Sequence, residues 1–437
     1  MSKMIEIPWG RESLPLSLPE GWRLTGVLEP SPLPPAPDAE AEVRRSLAEP
    51  IGSPRLRELA RAGMRVALVV DDISRPTPAA RIVPHVLEEL RLAGVQREAI
   101  NLIPALGVHR PMAEAELAQR IGAESFAGLR WENPAAEDSA RLVYLGTTSR
   151  GTPVWVNRTA AEAELIVSVG CIEPHIIASF GGGYKNLIPG VAGRETIAHN
   201  HALNCSPGAF NMVGQPIEKN PMRLDLEEAG RMLKPPVFIV NAVLNPEVKP
   251  VRVVSGDPIL AHREGVRVSA ALYGVGVSDM ADVVISSSHP MDSDLRQGVK
   301  ALANTIRAVK SGGTLITLVR AEEGVGVFGL AQRKLPVGRG GLKALAPLLV
   351  RLVPRLKMRG LADDDKFFLY FALQAMMRAR LLLYGPTIPE EIQTRLPFVE
   401  FASSPDEAIQ VARRHAPREA TVLVFPHAGV TYPQFAG

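Results

Sequence analysis

One lysine lies in a glycine-rich segment with histidines on both sides. The segment SFGGGYKNLIPG covers residues 179–190 and contains Lys185; His175 precedes it and the triplet HNH follows at residues 199–201. The segment lacks the G-x-G-x-x-G pattern, and its lysine is not followed by Ser or Thr as in a P-loop. Its glycines would let the backbone approach a bulky group closely. Lys185 is therefore a phosphate clamp, a covalent anchor for a cofactor, or a surface charge beside a flexible loop.

Histidines and cysteines around this segment could bind a metal ion. Nitrogen and sulfur donors suited to a transition metal are available from Cys171, His175, His199, His201 and Cys205. Their spacing fits no standard zinc module, so the pattern favours metal binding by at least one histidine over a complete zinc site. A zinc-type hydrolase that uses the cluster at residues 171–205 is the alternative function. A non-catalytic anion-binding or cofactor-carrying protein is a third.

Two other loops contain candidate catalytic residues. The stretch DDISRPTP begins with Asp71 and Asp72, which could simply end a strand, and Arg75 lies just before a predicted helix, where it could form an anion site. His109 lies in the short loop LGVHRP. Because imidazole titrates near neutral pH, His109 and His175 are each candidates for a general base.

The loops that carry these residues follow short apolar strands, and helical patterns follow the loops. The predicted strands are RVALVV (65–70), AINLIPAL (99–106), AELIVSVG (163–170), ADVVISSS (281–288) and TLITLVR (314–320). Alternating strands and helices predict an α/β fold with parallel-rich sheets flanked by helices. The later unit contains a predicted helix that carries Arg296, Gln297 and Lys300 and ends at Gly312 and Gly313. Open α/β sheets bind ligands beyond the carboxyl ends of their strands, so these loops are predicted to converge.

Length and composition limit the remaining possibilities. A chain of 437 residues predicts two domains, which we set at 1–270, with the lysine and the histidines, and 271–437, with substrate-binding residues, the active site lying in the cleft between them. The net charge of +3 gives no reason to expect nucleic acid as a partner. No apolar run is long enough to span a bilayer, and the N-terminus lacks an apolar signal region, so we expect no membrane partner and a cytoplasmic location.

A basic stretch at residues 333–359 has two interpretations. It carries lysines and arginines among leucines and valines without an acidic residue. The pattern could describe a helix on a membrane surface. We favour a helix with one solvated basic face, broken at Pro347 and Pro354, because amphipathic patterns are common in soluble proteins.

Four of these motifs together resemble a known family. The segments DDISRPTP, ALGVHRPM, EPHIIASFGGGYKNLIPG and ETIAHNH are similar to successive motifs of the lactate racemase family, whose members carry a nickel-pincer nucleotide. The resemblance extends from about residue 45 to the final segment VLVFPHAGVTYP. It implies that Lys185 is joined through a thioamide to nickel pyridinium-3,5-bisthiocarboxylic acid mononucleotide. It also implies that His201 is a nickel ligand, while the cofactor supplies sulfur, carbon and sulfur.

The same resemblance implies a racemase or epimerase that inverts C2 of a 2-hydroxy acid. One histidine takes the hydroxyl proton while hydride passes from C2 to the cofactor, and the 2-oxo acid is then reduced on its opposite face. His109 and His175 would be the two bases, one for each enantiomer. The residues implied to contact the cofactor are Asp72, Ser74, Arg75, Gly182 and Gly183. The residues implied to contact the substrate are Arg75, Arg296, Gln297 and Lys300. The enzymes of cofactor biosynthesis would be transient partners, and His199 has no implied role.

One position departs from the family pattern. Where lactate-acting members carry a tyrosine before the glutamine of the motif RQGVK, this chain has Arg296. A guanidinium offers a charge-assisted pair of hydrogen bonds that the methyl group of lactate could not use. We therefore expect a substrate with a further polar or anionic group, such as a second carboxylate or a hydroxylated chain.

Overall fold

A computed structural model describes residues 3–326, 329–332, 334–355 and 363–435. The chain divides into two compact units. Unit N comprises Pro32–Leu203 and Pro216–Leu272, and unit C comprises Met1–Ser31, Asn204–Gln215 and Tyr273–Gly437. The predicted N-terminal domain, 1–270, includes residues 1–31 and 204–215, whereas in the structure both segments belong to unit C.

Strands within the described residues form two large sheets and several small ones. They are β1 Lys3–Trp9, β2 Glu12–Leu18, β3 Arg23–Val27, β4 Val66–Asp71, β5 Ile100–Ala105, β6 Arg130–Trp131, β7 Leu142–Thr147, β8 Pro153–Asn157, β9 Leu165–Cys171, β10 Pro174–His175, β11 Ser179–Phe180, β12 Val237–Leu244, β13 Pro250–Gly256, β14 Gly274–Val277, β15 Ala281–Ser287, β16 Val309–Leu318, β17 Arg380–Tyr384, β18 Glu400–Ala402, β19 Thr421–Phe425 and β20 Tyr432–Phe435.

Helices cover the two large sheets. They are α1 Ala39–Ala48, α2 Leu56–Leu59, α3 Ala79–Leu92, α4 Glu114–Ile121, α5 Ala123–Phe126, α6 Arg158–Ala161, α7 Arg194–Ala202, α8 Pro221–Arg231, α9 Leu260–Tyr273, α10 Leu295–Gly298, α11 Lys300–Thr305, α12 Gly329–Gln332, α13 Arg339–Leu352, α14 Asp363–Arg378, α15 Glu390–Arg395 and α16 Pro405–His415. In the part of the chain that the structure describes, none of these helices is long and apolar enough to cross a bilayer.

The large sheet of unit N has the strand order β13-β12-β9-β4-β5-β6. All its neighbouring strands run parallel except β12 and β13. Every residue of β4 and of β9 is buried, as expected for strands that are covered on both faces. This order places the carboxyl ends of β9, β4 and β5 next to one another, and the loops that carry the candidate residues begin there.

The large sheet of unit C has the order β18-β17-β16-β15-β19-β3, and all its described strands run parallel. Strand β3 completes one edge by pairing with β19, which is why the first 31 residues belong to this unit. The hairpin of β1 and β2 packs its apolar side chains into the same core, where Ile7, Leu16 and Leu18 are almost completely buried. The predicted α/β class with parallel-rich sheets is thus confirmed.

Two local predictions were wrong. The helical segment after β15 ends at Ala308, before the Gly-Gly pair, because β16 already starts at Val309, which pairs with Ala281. Within the described part of the basic stretch, α13 continues through Pro347 instead of breaking there, and it ends at Leu352, just before Pro354. Leu342 and Ala346 are buried on its packed side. The remainder of that stretch, residues 333 and 356–359, lies outside the described residues.

Candidate active site

The candidate residues of unit N follow three adjacent strands. Val70 of β4 is paired with Val169 of β9, and Asp71 is paired with Ala105 of β5. The loops at residues 72–78, 106–112 and 172–187 therefore start side by side at one edge of the sheet. Asp71 itself is structural: its buried carboxylate accepts hydrogen bonds from Thr77 and Arg120.

Asp72 and His109 form a hydrogen-bonded pair. The carboxylate is 4% exposed; its Oδ1 accepts from the Ser74 amide at 3.1 Å and the Ser74 hydroxyl at 2.6 Å, and its Oδ2 contacts His109 Nδ1. Burial raises the pKa of Asp72, but the hydrogen bond and charge of His109 outweigh burial and lower the pKa to about 2. Asp72 is therefore an ionised acceptor that orients the imidazole. Its partner in this structure is the histidine.

Arg75 forms an ion pair with a glutamate that the sequence analysis did not single out. Arg75 Nη1 donates to Glu173 Oε1 at 2.7 Å, and both side chains are largely buried. Burial lowers the pKa of Arg75, but the charge of Glu173 raises it overall. Glu173 immediately precedes the β10 residues Pro174 and His175. The ion pair thus fixes the loop after β4 to the loop that carries His175.

His175 is held by the backbone of its own loop. Its Nδ1 accepts from the amides of Ile177 and Ala178 at 3.3 and 3.2 Å. The loop closes as a short antiparallel pair in which His175 lies opposite Ser179, a buried residue with φ +63°. A left-handed backbone is unfavourable for serine, so packing around the loop must maintain this conformation.

Lys185 lies on a 3-10 turn, Gly183–Asn186, and its side chain is partly buried. Burial lowers the pKa of Lys185 to about 7; the charges of Arg75 and Arg223 act in the same direction, against those of Glu173 and Asp72. A large fraction of this amine is therefore neutral at neutral pH. Only the neutral amine has the lone pair needed to form a covalent bond.

The three glycines before Lys185 are closely packed against protein. Gly182 and Gly183 have φ values of +73° and +64°. A Cβ at Gly182 would lie 2.6 Å from Ile172 and 2.7 Å from the amide oxygen of Asn241, and the Gly183 amide donates to that oxygen at 2.8 Å. The flexible surface loop considered from sequence is thus wrong, because the bulky neighbours that require glycine are side chains of unit N.

Residues at the beginning of α8 bind both the loop that carries His175 and the glycine-rich segment that carries Lys185. The fully buried guanidinium of Arg223 donates to the carbonyl oxygens of Gly182 at 3.1 Å and Phe180 at 2.6 Å. Asn220, which caps α8, donates to the carbonyl of Ile177 at 2.7 Å and to the hydroxyl of Ser179 at 3.0 Å. Burial lowers the pKa of Arg223 to about 10, which still leaves it charged. The sequence NP at residues 220–221 signals a helix start but not these contacts.

His201 lies on α7, which is attached to the same α8. His201 is 8% exposed. The neighbouring Asn200 donates to the carbonyl of Met222 at 3.1 Å and to the carboxylate of Asp225 at 2.8 Å. His199 Nδ1 contacts the hydroxyl of Thr152 at 2.9 Å, and that hydroxyl donates to Asp225 at 2.7 Å. The buried Asp225 therefore fixes α7 relative to α8.

The remaining candidates lie in unit C. Arg296 and Gln297 are on α10, and Lys300 is the first residue of α11. Asp294 caps α10 by accepting from the Gln297 amide at 2.8 Å. The side-chain oxygen Oε1 of Gln297 is buried and has no hydrogen-bond partner among the described residues. A buried acceptor of this kind is available to a donor from a ligand.

The structure gives no support to a zinc site. Within the described residues, no group of three His, Cys, Asp or Glu side chains comes together in a way that could hold a metal ion. Burial raises the pKa of Cys171 and raises that of Cys205 to about 11, so both thiols are protonated near neutral pH. The hydrolase alternative, which depends on the cluster at 171–205, is therefore not favoured.

Comparison with known proteins finds similarity to lactate racemases. The model of the lactate racemase N-terminal domain matches residues 9–211. The lactate racemase of Lactiplantibacillus plantarum is 29% identical over 386 residues, which is 88% of each chain. The lactate racemase of Thermoanaerobacterium thermosaccharolyticum is 29% identical over 326 residues, which cover 74% of this chain and 75% of that protein.

Solved structures give the same result for the fold. The apoprotein structure of the Thermoanaerobacterium thermosaccharolyticum lactate racemase superposes with a TM-score of 0.83 at 25% identity, covering 99% of this chain and 100% of that chain. A structure of a protein from Thermotoga maritima superposes with a TM-score of 0.66 at 16% identity, covering 92% of this chain and 99% of that chain. The second similarity concerns the fold alone.

Proposed function

We propose that this chain is an isomerase of the lactate racemase family and that it inverts C2 of a 2-hydroxy acid with a nickel-pincer nucleotide joined to Lys185. The observation that carries this proposal is the lowered pKa of the Lys185 amine, about 7, in a unit where the loops of His109 and His175 follow β5 and β9, the two strands on either side of β4. A lysine whose only task was to attract an anion would gain nothing from losing its charge.

The residues of unit N fit such a cofactor chemically. A neutral Lys185 amine can form the thioamide, whereas an ammonium group cannot. The imidazole of His201 is a suitable ligand for nickel, and the hydrogen bonds of Asn200 keep its helix in place. When bound, the cofactor supplies a reversible hydride acceptor for the hydrogen on C2. One protein ligand suffices in this proposal, because the cofactor itself would supply the other donors.

The protein side chains handle charge and protons. Asp72 keeps the imidazole of His109 oriented and stabilises the imidazolium that forms when His109 takes the hydroxyl proton. His175 serves the other enantiomer. Arg75 and Lys300 provide positive charge for the substrate carboxylate, and the buried Oε1 of Gln297 accepts a hydrogen bond from the substrate.

We further propose that the substrate is more polar than lactate. The guanidinium of Arg296 offers a pair of charge-assisted hydrogen bonds, which a second carboxylate or a hydroxylated side chain on the substrate could accept. We expect no nucleic acid or membrane partner, and transient contact with the enzymes that make the cofactor.

Intact-mass measurement tests the proposed function directly. The chain is purified with and without co-expression of the cofactor biosynthesis enzymes, beside the variants Lys185→Ala and Lys234→Ala; Lys234 is an exposed lysine of the same unit. The proposal predicts an adduct only with co-expression, present in Lys234→Ala and absent in Lys185→Ala. An adduct on another residue, or none at all, would overturn it.

Activity is then measured on the loaded protein. A panel of D- and L-2-hydroxy acids, with and without a second anionic or hydroxyl group, is followed by loss of optical rotation. The double variant His109→Ala and His175→Ala should carry the adduct but have no activity. A wild-type protein that carries the adduct and racemises none of the panel would instead indicate the cofactor-carrying alternative.

A further inference from the structure

We propose that His109 and His175 are held as opposite neutral tautomers, so that His109 offers a lone pair on Nε2 whereas His175 offers an N–H there. Its catalytic consequence rests on the proposed function, but the tautomers themselves are a property of the chain without cofactor. The proposal makes Asp72 and the amides of residues 177 and 178 positioning groups for the two imidazoles.

The tautomer of His109 is set by Asp72. The two donors of Ser74, its amide and its hydroxyl, both bind Oδ1 of Asp72, which leaves Oδ2 for His109 Nδ1. An ionised carboxylate can only accept a hydrogen bond, so Nδ1 must carry the proton. In the neutral ring the lone pair is then on Nε2.

The tautomer of His175 is set by the backbone. The amides of Ile177 and Ala178 both donate to its Nδ1, and an amide N–H cannot accept a hydrogen bond. Nδ1 must therefore carry the lone pair, and in the neutral ring the proton is on Nε2. The contacts of Asn220 with the Ile177 carbonyl and the Ser179 hydroxyl hold both amides in place.

The two histidines consequently begin a reaction in different states. A substrate hydroxyl that meets His109 Nε2 finds a proton acceptor already in place. A hydroxyl that meets His175 Nε2 finds a hydrogen-bond donor instead. For His175 to act as a base, its proton must move to Nδ1, and the hydrogen bonds from Ile177 and Ala178 must break. Loss of the hydroxyl proton is therefore direct on one side of the substrate and requires a change in the His175 loop on the other.

The tautomers can be read from the unloaded protein by 15N NMR of histidine side chains at alkaline pH. Long-range coupling distinguishes Nδ1–H from Nε2–H rings, and the spectra of His109→Gln and His175→Gln assign the two signals. We expect Nδ1–H for His109 and Nε2–H for His175. The same tautomer in both rings would overturn the proposal, whether or not the chain later proves to bind a cofactor.

Two variants test whether Asp72 sets the tautomer of His109. In Asp72→Asn the Ser74 donors keep the one remaining carbonyl oxygen, so the amide nitrogen faces His109 and donates to Nδ1. His109 should then change to the Nε2–H tautomer, while His175 stays unchanged. Ser74→Ala keeps the carboxylate and should leave both tautomers as in the wild type. An unaltered His109 signal in Asp72→Asn would contradict the role of Asp72, and if that variant does not fold, the wild-type spectrum alone decides.

Discussion

The candidate residues at the carboxyl edges of the two large sheets are held in different ways. In unit N the side chains fix one another: Asp72 binds His109, Glu173 binds Arg75, and the pKa values of Asp72 and Lys185 are far from their usual range. In unit C, the segment with Arg296 and Gln297 is a single capped turn, and the buried Oε1 of Gln297 has no partner among the described residues.

This difference separates two tasks. Perturbed, mutually fixed ionisable groups are typical of the atoms that take part in a reaction. A buried acceptor without a protein partner, next to an arginine, is suited to selecting the ligand that satisfies it. We therefore expect substitutions of the mutually fixed groups of unit N to reduce the reaction for every substrate, and substitution of Arg296 in unit C to change which substrate is preferred.

The largest effect is expected for Lys185→Arg. Arginine keeps a positive charge but is always protonated, so it cannot form a thioamide. We expect no adduct by intact mass. Because the enzyme would then lack its covalently held cofactor, racemisation should fall by at least about 10,000-fold for all substrates. Lys234→Arg is the matched control. Activity retained in Lys185→Arg would mean that the charge at this position suffices.

Asp72→Asn should have the second largest effect. With His109 in the wrong tautomer, general base catalysis is lost while the adduct at Lys185 remains, so kcat should fall by about 100- to 10,000-fold with a small change in KM. Asp138→Asn is the control, because Asp138 caps a helical turn of the same unit and asparagine caps equally well. A variant with normal kcat and a raised KM would instead assign Asp72 to binding.

Arg296→Tyr tests the other side of the comparison. Removing the guanidinium of Arg296 should lower kcat/KM for a dicarboxylate or hydroxylated substrate relative to lactate by about 10- to 100-fold. This range is expected because one or two charge-assisted hydrogen bonds to the substrate are lost. Arg351→Tyr, at an exposed position of α13, should leave the ratio unchanged. Equal loss for every substrate would place Arg296 with the reacting groups and remove the distinction between the two edges.

The fold could be predicted from sequence because its signals are local. Strands β4 and β9 are continuous apolar runs followed by turn residues, and that pattern alone indicates a buried parallel sheet. The position of β3 could not be predicted, because its place beside β19 depends on pairing across almost 400 residues. The Gly-Gly pair at 312–313 was misleading, since glycine ends helices and also occurs in irregular strands.

The candidate site residues could be chosen from the sequence, but the contacts that hold them could not. The motifs identified His109, His175 and Lys185, whereas the contacts that set their states come from residues with no distinctive local pattern. Arg223 is one of two arginines in the amphipathic helix α8, and its contacts with three carbonyl oxygens of the glycine-rich segment depend on how α8 packs. Likewise the tautomer of His175 depends on two backbone amides, which no residue type reveals.

The smallest effect we predict concerns stability at the edge of unit N. The pKa of Lys185 is lowered from 10.5 to about 7, so below pH 7 the folded chain must bury an ammonium group that the unfolded chain leaves in water. This cost is constant below pH 7, decreases between pH 7 and 10.5 as the unfolded chain alone remains protonated, and is absent above that range. Lys185→Met removes the cost and keeps the apolar stem.

Urea unfolding should therefore show that Lys185→Met is more stable than the wild type at pH 6 by about 1–2 kcal/mol, a value reduced to allow for solvent reaching the partly buried amine. The difference in stability should be much smaller at pH 10. Lys310→Met, which removes the partner of Asp282 at the surface of unit C, should give no such gain. A lysine that destabilises its own fold at neutral pH is expected where a reactive amine is needed. If Lys185→Met were no more stable than the wild type at pH 6, Lys185 would be an ordinary cation. The lowered pKa of this lysine would then no longer distinguish the carboxyl edge of the unit N sheet from that of unit C.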